Sequence, residues 1–450
     1  MPIRPTWKRL PGVRLSCLRY QTLPAPPRLG GPSRLTPSTR RGFSTSRIQC
    51  DWRPLIELPA RRAVRYMQQP DDELLSLEWP EPPQNVLLVK KDHAPETTEA
   101  LLEFASHVKS SYPGTNIVLE PTVASEIIRT AHFDAFAALD SLSSDSDYHQ
   151  KIDLVVTFGG DGTILHAASI FAAAAHVPPV LSFSMGTLGF LGEWKFSEYK
   201  RAFREVYMSG ARSERHAILE NLENNGSQQN ALTGWSSIRG KSLGSTRGAK
   251  ILMRQRLKVG VFDAHGNRLV SKGNPHHDMH AMNEVILHRG KDPHLAIVQV
   301  FVGGRFLTEA VADGMIISTP TGSTAYSLSS GGSIVHPLVP SILLTPICAR
   351  SLSFRPLVLP ATTPITLKLS EKNRGREVEL SIDGMRRNDG IRVGTEVRIS
   401  GEEMSVDHGH WRGGIPCVLR KARGGLDSDD GWVGGLNGLL KFNYPFGEEH

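Results

Sequence analysis

Gly159-Gly160-Asp161-Gly162-Thr163 sets glycines, one carboxylate and one hydroxyl between an apolar run and a helical stretch. Glycine lets a backbone turn sharply and lets a bulky anion approach it closely. A helix starting near Thr163 would present free N–H groups and the positive end of its dipole to that anion. The pentapeptide therefore reads as a phosphate-binding loop built on Gly159, Gly160 and Thr163. A carboxylate among phosphates is unfavourable unless it has a task. Two tasks suit Asp161: taking a proton from an attacking hydroxyl, or holding a metal ion. The competing reading is a glycine turn capped by an aspartate. The carboxyl end of a buried strand, where open α/β sheets bind ligands, favours the phosphate site.

Three further segments carry side chains of the right kind. Asn283-Glu284, at the start of the apolar stretch Val285-Ile286-Leu287, places an amide beside a carboxylate, a pair able to accept hydrogen bonds from sugar hydroxyls. Taken alone it equally describes a solvated strand end. The run from Asp313 to Gly332 is dense in Ser and Thr and contains Tyr326. A core strand would not tolerate so many unpartnered hydroxyls, so the run reads as a loop facing a polar ligand, with Tyr326 stacking on a ring. Ser381-Ile382-Asp383-Gly384 is by itself merely a good turn.

The elements that must position these residues follow from the apolar pattern. Residues 84–212 alternate strand and helix: Val86–Val89, a helix over 97–110, Asn116–Leu119, a helix over 123–140, Asp153–Phe158, a helix over 163–175, and Val180–Phe183. Such alternation predicts a doubly wound parallel sheet of Rossmann-like type. From 213 to 410 the helices nearly stop, and 251–262, 281–288, 295–302, 314–319, 364–370, 376–382 and 391–399 read as strands of an all-β, sandwich-like domain. A Ser-, Gly-, Asn- and Gln-rich insertion fills 221–249. Residues 49–83 form an extension without a clear pattern, and a tail over 411–450 is expected to pack back on the first domain.

In order and spacing, Gly159–Thr163, Asn283-Glu284 and Thr319–Tyr326 together resemble the NAD kinase (ATP-NAD kinase) family, and within it the mitochondrial NADH/NAD kinases of fungi. Met185–Leu191 is similar to the stretch that follows the fourth strand in that family. The resemblance covers roughly residues 84–445. It implies an α/β domain, a β domain and an active site in the cleft between them. It further implies that Asp161 is the proton acceptor. Gly162, Phe190, Asn283, Glu284, His294, Asp313, Thr324, Ala325, Tyr326 and Ser329 would line the pocket for NADH or NAD. The implied reaction moves the γ-phosphoryl of ATP, with Mg2+, to the 2′-hydroxyl of the adenosine ribose. No residue is assigned to the metal directly, and a homo-oligomer is implied. Two positions depart from the common bacterial pattern, Val311 where a basic residue is frequent and Met385 where Gln is frequent, so contacts carried by those two side chains do not transfer. A lipid or sugar kinase would share the glycine loop but leave Asn283-Glu284 and Thr319–Tyr326 unexplained. A dinucleotide sensor without chemistry would better suit a neutral residue at 161.

Charge is unevenly spread over the 450 residues. Residues 1–50 hold ten Lys or Arg and no acid, which leaves 42 basic and 45 acidic residues, a net of −3, over the rest of a chain whose total is +7. The body of the protein thus gives no reason to expect nucleic acid as a partner. The basic, Ser-containing, acid-free segment 1–48 has the composition of a mitochondrial transit peptide, and Arg40–Ser46 resembles a matrix-processing site, so the mitochondrial matrix is the expected location. No run of about 18 apolar residues is present, so no membrane-spanning helix is expected. Cys348 and Cys417 show no metal or redox spacing. The stretch Gly234–Ser242 has the wrong glycine spacing for a P-loop, and His276–His280 lacks a second ligand group at zinc-like spacing.

Overall fold

A computed structural model describes residues 52–69, 72–138, 145–186, 189–192, 194–210, 248–269, 279–387, 390–407, 410–420 and the single positions 432, 436 and 440. The basic segment 1–48 and the insertion up to residue 247 lie outside these, as does all but three positions of the tail beyond 420.

The helices described in the first half are α1 (Pro95–Ser111), α2 (Pro121–Ile127), α3 (Asp145–Lys151), α4 (Asp161–Ile170) and α5 (Tyr199–Tyr207). Pro95 begins α1 where its missing N–H costs nothing, with Glu96 in the first turn and Lys109 in the last, each complementing the helix dipole. The helices cover both faces of a sheet in which Asn85–Lys90 is central. Asn116–Leu119 and Ala135–Ala137 lie to one side; Leu154–Phe158, Val180–Ser184 and Ile415–Leu419 lie to the other. These strands pair in parallel. Buried on both faces, they read as continuous apolar runs. Along Asn85–Lys90, Val86 and Leu88 join the core beneath α1, α2 and α5, while Leu87 and Val89 join the core beneath α3 and α4.

Chain order reverses between Asn85–Lys90 and Leu154–Phe158. From the former the chain moves outward through α1 and α2, and from the latter it moves the opposite way through α4. Doubly wound sheets bind ligands at the carboxyl ends of the strands flanking such a reversal. Here those ends are Lys90-Lys91 and Gly159-Gly160.

The second half is a sandwich. One sheet runs Met279–Ala281, Leu257–Phe262, Glu396–Gly401, Ile365–Leu369, Ala296–Val302, Arg305–Ala312. The other runs Leu357–Pro360, Ser341–Ile347, Gly314–Ser318, Glu284–His288, Glu377–Ile382, Met385–Arg386, with Ile391-Arg392 also on Glu377–Ile382. Alternate residues of both sheets, such as Val259, Val298 and Leu367 facing Val285, Ile317 and Leu380, share one buried core.

Several boundaries differ from the sequence reading. The expected helix over 123–140 stops at Ile127, and Ala135–Ala137 is a buried strand beside Asn116–Leu119. A three-residue apolar run carries no periodicity of its own, so its neighbour in space decides its state. The single strand expected over 251–262 is two, in different sheets. Lys250–Arg254 pairs antiparallel with Ile415–Leu419 in the first sheet, Leu257–Phe262 belongs to the sandwich, and Gln255-Arg256 crosses between them. The extension over 49–83 is not featureless, because Arg65–Gln69 and Asp72–Glu78 form a hairpin that continues the first sheet. In the tail, Ile415–Leu419 is a strand of the first sheet. The Trp432 ring, by contrast, lies 4.6 Å from that of His336 in the β-rich half.

Candidate active site

Gly159 and Gly160 close the strand Leu154–Phe158, and Asp161 is the first residue of α4, two positions earlier than the sequence suggests. A Cβ on Gly159 would collide with Thr163 Oγ1, whereas Gly160 and Gly162 face open space. The backbone at 160 and 162 can therefore be approached closely, and the first N–H groups of α4 have no partner within the helix. The Asp161 carboxylate does not cap the helix. It turns to the 189–191 loop, where Phe190 N–H donates to Oδ2 and Leu191 N–H to Oδ1, both at 3.1 Å. Gly189 lies against it so closely that a methyl group there would overlap Asp161 Oδ1. Phe190 is thus placed beside Asp161 by its main chain, and Gly189 joins the site although its type alone gave no reason to name it.

Asn283-Glu284 stands at the edge of the β-rich half. Its neighbour Met282 is 1% exposed and packs in the same core as Ile164 of α4 and Leu191, which brings the pair to the Asp161 side of the molecule. The pair is fixed by Asp383. That carboxylate accepts from the N–H groups of Met282 and Asn283 at 2.7 Å each and of Glu284 at 3.1 Å. The Asp383-Gly384 turn adopts positive φ, 48° and 78°, which aims the side chain back at this segment. Glu284 is pushed up to about 7, first by burial and then by the charge of Asp383. Burial raises Asp383 as well, outweighing its three backbone hydrogen bonds. Asn283 Oδ1 and Glu284 Oε2 are both buried without a hydrogen-bond partner. Two unfilled acceptors side by side call for a ligand that brings donors.

Most hydroxyls of the Thr319–Ser329 loop are stitches, not ligand contacts. Thr319 donates to Met282 O at 2.6 Å, Ser323 to Pro320 O at 2.6 Å, Thr324 to Thr321 O at 3.2 Å, and Ser327 pairs with Thr345 at 2.8 Å. Gly322 lies against the Asn283 backbone, where a Cβ would not fit. The loop is thereby tied to Asn283-Glu284. Beyond it, Thr324 and Ala325 are half-buried, and Tyr326 and Ser329 are exposed.

Two expected residues stand elsewhere in the chain. In the ladder between Glu284–His288 and Gly314–Ser318, Glu284 faces Ser318 and His288 faces Gly314. Asp313 is therefore at the opposite end from Glu284, about 14 Å away at the usual strand rise. Its carboxylate is taken by Arg289 Nε at 2.6 Å. His294, exposed and donating its N–H to Asp292, belongs to the same far corner. An antiparallel strand pair separates in space what motif order places in one list. Asp383 is the reverse case: its partners lie about a hundred positions earlier, and no local signal reveals them.

The loop after Asn85–Lys90 borders an open cavity of about 800 Å³ lined by Asp92–Pro95, by Thr98, Glu99 and Leu102 of α1, and by Thr122, Glu126 and Thr130. Lys90, buried, pairs with Glu126 at 2.8 Å below it. Lys91, next in the chain to the cavity-lining Asp92, has its Cβ against Gly159.

A parallel sheet with a glycine turn at its switch point, joined to a sandwich that presents two unfilled acceptors, defines a phosphotransferase of the two-domain nucleotide-binding kind. Comparison with known families agrees. The ATP-NAD kinase N-terminal domain matches residues 86–211, and the ATP-NAD kinase C-terminal domain matches residues 282–405. The mitochondrial NADH kinase of Saccharomyces cerevisiae is 36% identical over 426 residues, covering 88% of this chain and 89% of that protein. The mitochondrial NADH kinase of Schizosaccharomyces pombe is 38% identical over 374 residues, covering 83% and 78%. The crystal structure of yeast NADH kinase complexed with NADH superposes with a TM-score of 0.68 at 37% identity, covering 89% of this chain and 100% of that one. The chain belongs to the ATP-NAD kinase family. It is an ATP-dependent NAD(H) kinase, producing NADP(H).

Proposed function

We propose that the chain phosphorylates NADH in preference to NAD at the 2′-hydroxyl of the adenosine ribose, in the mitochondrial matrix, with Asp161 as general base. The observation that carries the assignment of the acceptor site is the pair of buried, unfilled acceptors, Asn283 Oδ1 and Glu284 Oε2. Ribose hydroxyls are donors of the right kind and number for them. With the sugar held there, Asp161 accepts the 2′-hydroxyl proton as the oxygen attacks the γ-phosphorus and the ADP oxygen leaves in line. The N–H groups around Gly160, Asp161 and Gly162 face the phosphoryl oxygens and offset their charge. Gly162 and Phe190 lie beside the dinucleotide, and Thr324, Ala325, Tyr326 and Ser329 form the wall toward its bases, with the exposed Tyr326 ring available for stacking.

Among the described residues no three His, Cys, Asp or Glu side chains form a ready metal cage. The divalent cation, Mg2+, belongs to the substrate and is carried on the ATP phosphates. Asp313 and His294, at the far corner, meet a dinucleotide only if a second copy presents them, so a homo-oligomer is part of this reading. The exposed apolar side chains of Phe306, Leu307 and Val358, on edge strands of the two sandwich sheets, give it a surface. The matrix location rests on the acid-free segment 1–48 and on two relatives named as mitochondrial. No helix among the described residues is long and apolar enough to cross a membrane.

The test of substrate is direct. Purified protein with ATP, Mg2+ and either NADH or NAD is expected to form NADPH faster than NADP. Equal rates, or a faster rate with NAD, would remove the proposed preference. Sedimentation of the same preparation as a monomer at assay concentration would remove the shared pocket.

A further inference from the structure

We propose that Arg254 is a positioning residue that locks the two walls of the phosphoryl-transfer site to each other and, through the 189–191 loop, holds the Asp161 carboxylate in place. The proposal rests on the kinase reading above. Arg254 ends the strand Lys250–Arg254 of the first sheet and is 2% exposed. A guanidinium does not give up its charge when buried, and no acidic side chain among the described residues pairs with this one. Its Nη2 donates to Phe190 O at 3.4 Å and its Nη1 to Thr321 Oγ1 at 3.3 Å, while Nε is buried without a partner. Two residues on, Arg256 shows what the same side chain does in a purely structural post. It is held by Glu402 at 2.6 Å, with all of its nitrogens engaged.

The two arms of Arg254 end on the two walls. The carbonyl of Phe190 and the N–H of Leu191 belong to one peptide unit, and that N–H donates to Asp161 Oδ1, so a single peptide unit connects the guanidinium to the proposed base. Thr321 lies in the loop that Thr319 ties to Met282 and Asn283. A charge without a counter-ion among the described residues is costly to bury. Between these walls its field favours the negative charge that phosphates bring, so the arrangement is complete only with substrate present.

The experiment compares wild type with Arg254→Lys, which keeps the charge but loses the fork, and Arg254→Ala, which loses both. Turnover of NADH, KM for each substrate, NADH affinity by its fluorescence, and Tm are measured for each. Arg254→Lys is expected to bind NADH normally, keep both KM values within about threefold and lose about tenfold to a hundredfold in kcat, the scale of a misplaced catalytic group. Adding guanidinium at low millimolar concentration should restore part of the kcat of Arg254→Ala. Lysine supporting kcat within twofold of wild type would overturn the proposal. So would a loss in both variants that matches only the unfolded fraction. If wild type itself forms no 2′-phosphorylated dinucleotide, the kinase reading fails, and the two failures are told apart.

Discussion

The Glu284 carboxyl sits buried beside that of Asp383 and is raised to about 7 by burial first and by that neighbouring charge second. Raised above its ordinary value, it keeps its proton in the folded chain where the unfolded chain has lost it. Stability from this group is complete at pH 4, declines as pH rises toward 7, and stays lowered above that. Glu284→Gln should therefore gain about 1–3 kcal/mol over wild type at pH 8 and nothing at pH 4, an interval read from the shift by linkage. Melting curves at the two pH values check this, and an equal difference at both would contradict it. Because ribose hydroxyls donate to the ionised form, KM for the dinucleotide should also rise as pH falls below 7. Gly189 makes a second prediction. Gly189→Ala places a methyl group on Asp161 Oδ1, and should lower kcat by at least tenfold with Tm little changed, a magnitude typical of a displaced catalytic group. At this scale the glycine–aspartate turn was legible because its function lies in five adjacent residues. The hydroxyls of Thr319, Ser323, Thr324 and Ser327 were misleading, since the residue types that contact ligands also stitch loops.

The hairpin at Asp383-Gly384 works as one element with the segment it holds. Removing its carboxylate, as in Asp383→Ala, leaves the N–H groups of Met282, Asn283 and Glu284 without their acceptor. Each such loss costs about 1–3 kcal/mol when the donor is buried. The variant should show a lower denaturation midpoint and a raised KM for the dinucleotide, with KM for ATP nearly unchanged. An unchanged dinucleotide KM would mean that Asn283-Glu284 does not depend on this brace. The strands and helices around the site were readable wherever the apolar period was long, as in α1 and Leu154–Phe158. The reading failed at Ala135–Ala137 and at Gln255-Arg256, where the deciding contact is with a strand distant in sequence.

Across the whole molecule, the chain passes from the first sheet to the sandwich at Gln255-Arg256 and returns between Gly401 and Ile415, and a buried ion pair braces the first of these crossings. Arg256 donates to Phe171 O and Ala174 O just beyond α4, and is held by Glu402, their side chains 2% and 10% exposed. Burial alone would raise the Glu402 carboxyl; hydrogen bonds from Arg256 and its charge overcome this and hold it below the ordinary range. Glu402→Ala leaves a buried cation uncompensated and should destabilise by about 3–5 kcal/mol, whereas replacing both partners by Met and Leu should recover much of that. Denaturant titration of the single and double variants decides the matter. The two-domain plan was legible from the change of period near residue 212. The return of Lys250–Arg254 and Ile415–Leu419 to the first sheet was not, because a strand's sequence does not say which sheet it joins.

Asp161, as the proton acceptor, is the residue on which the proposed chemistry turns. The most direct measurement is single-turnover formation of 2′-phosphorylated dinucleotide by wild type and Asp161→Asn, with NADH binding followed in the same samples. Asp161→Asn is expected to bind NADH and melt like wild type while losing about 10²–10⁴-fold in the chemical step, the usual contribution of a general base. A variant that forms product at near-normal rate would contradict the assignment.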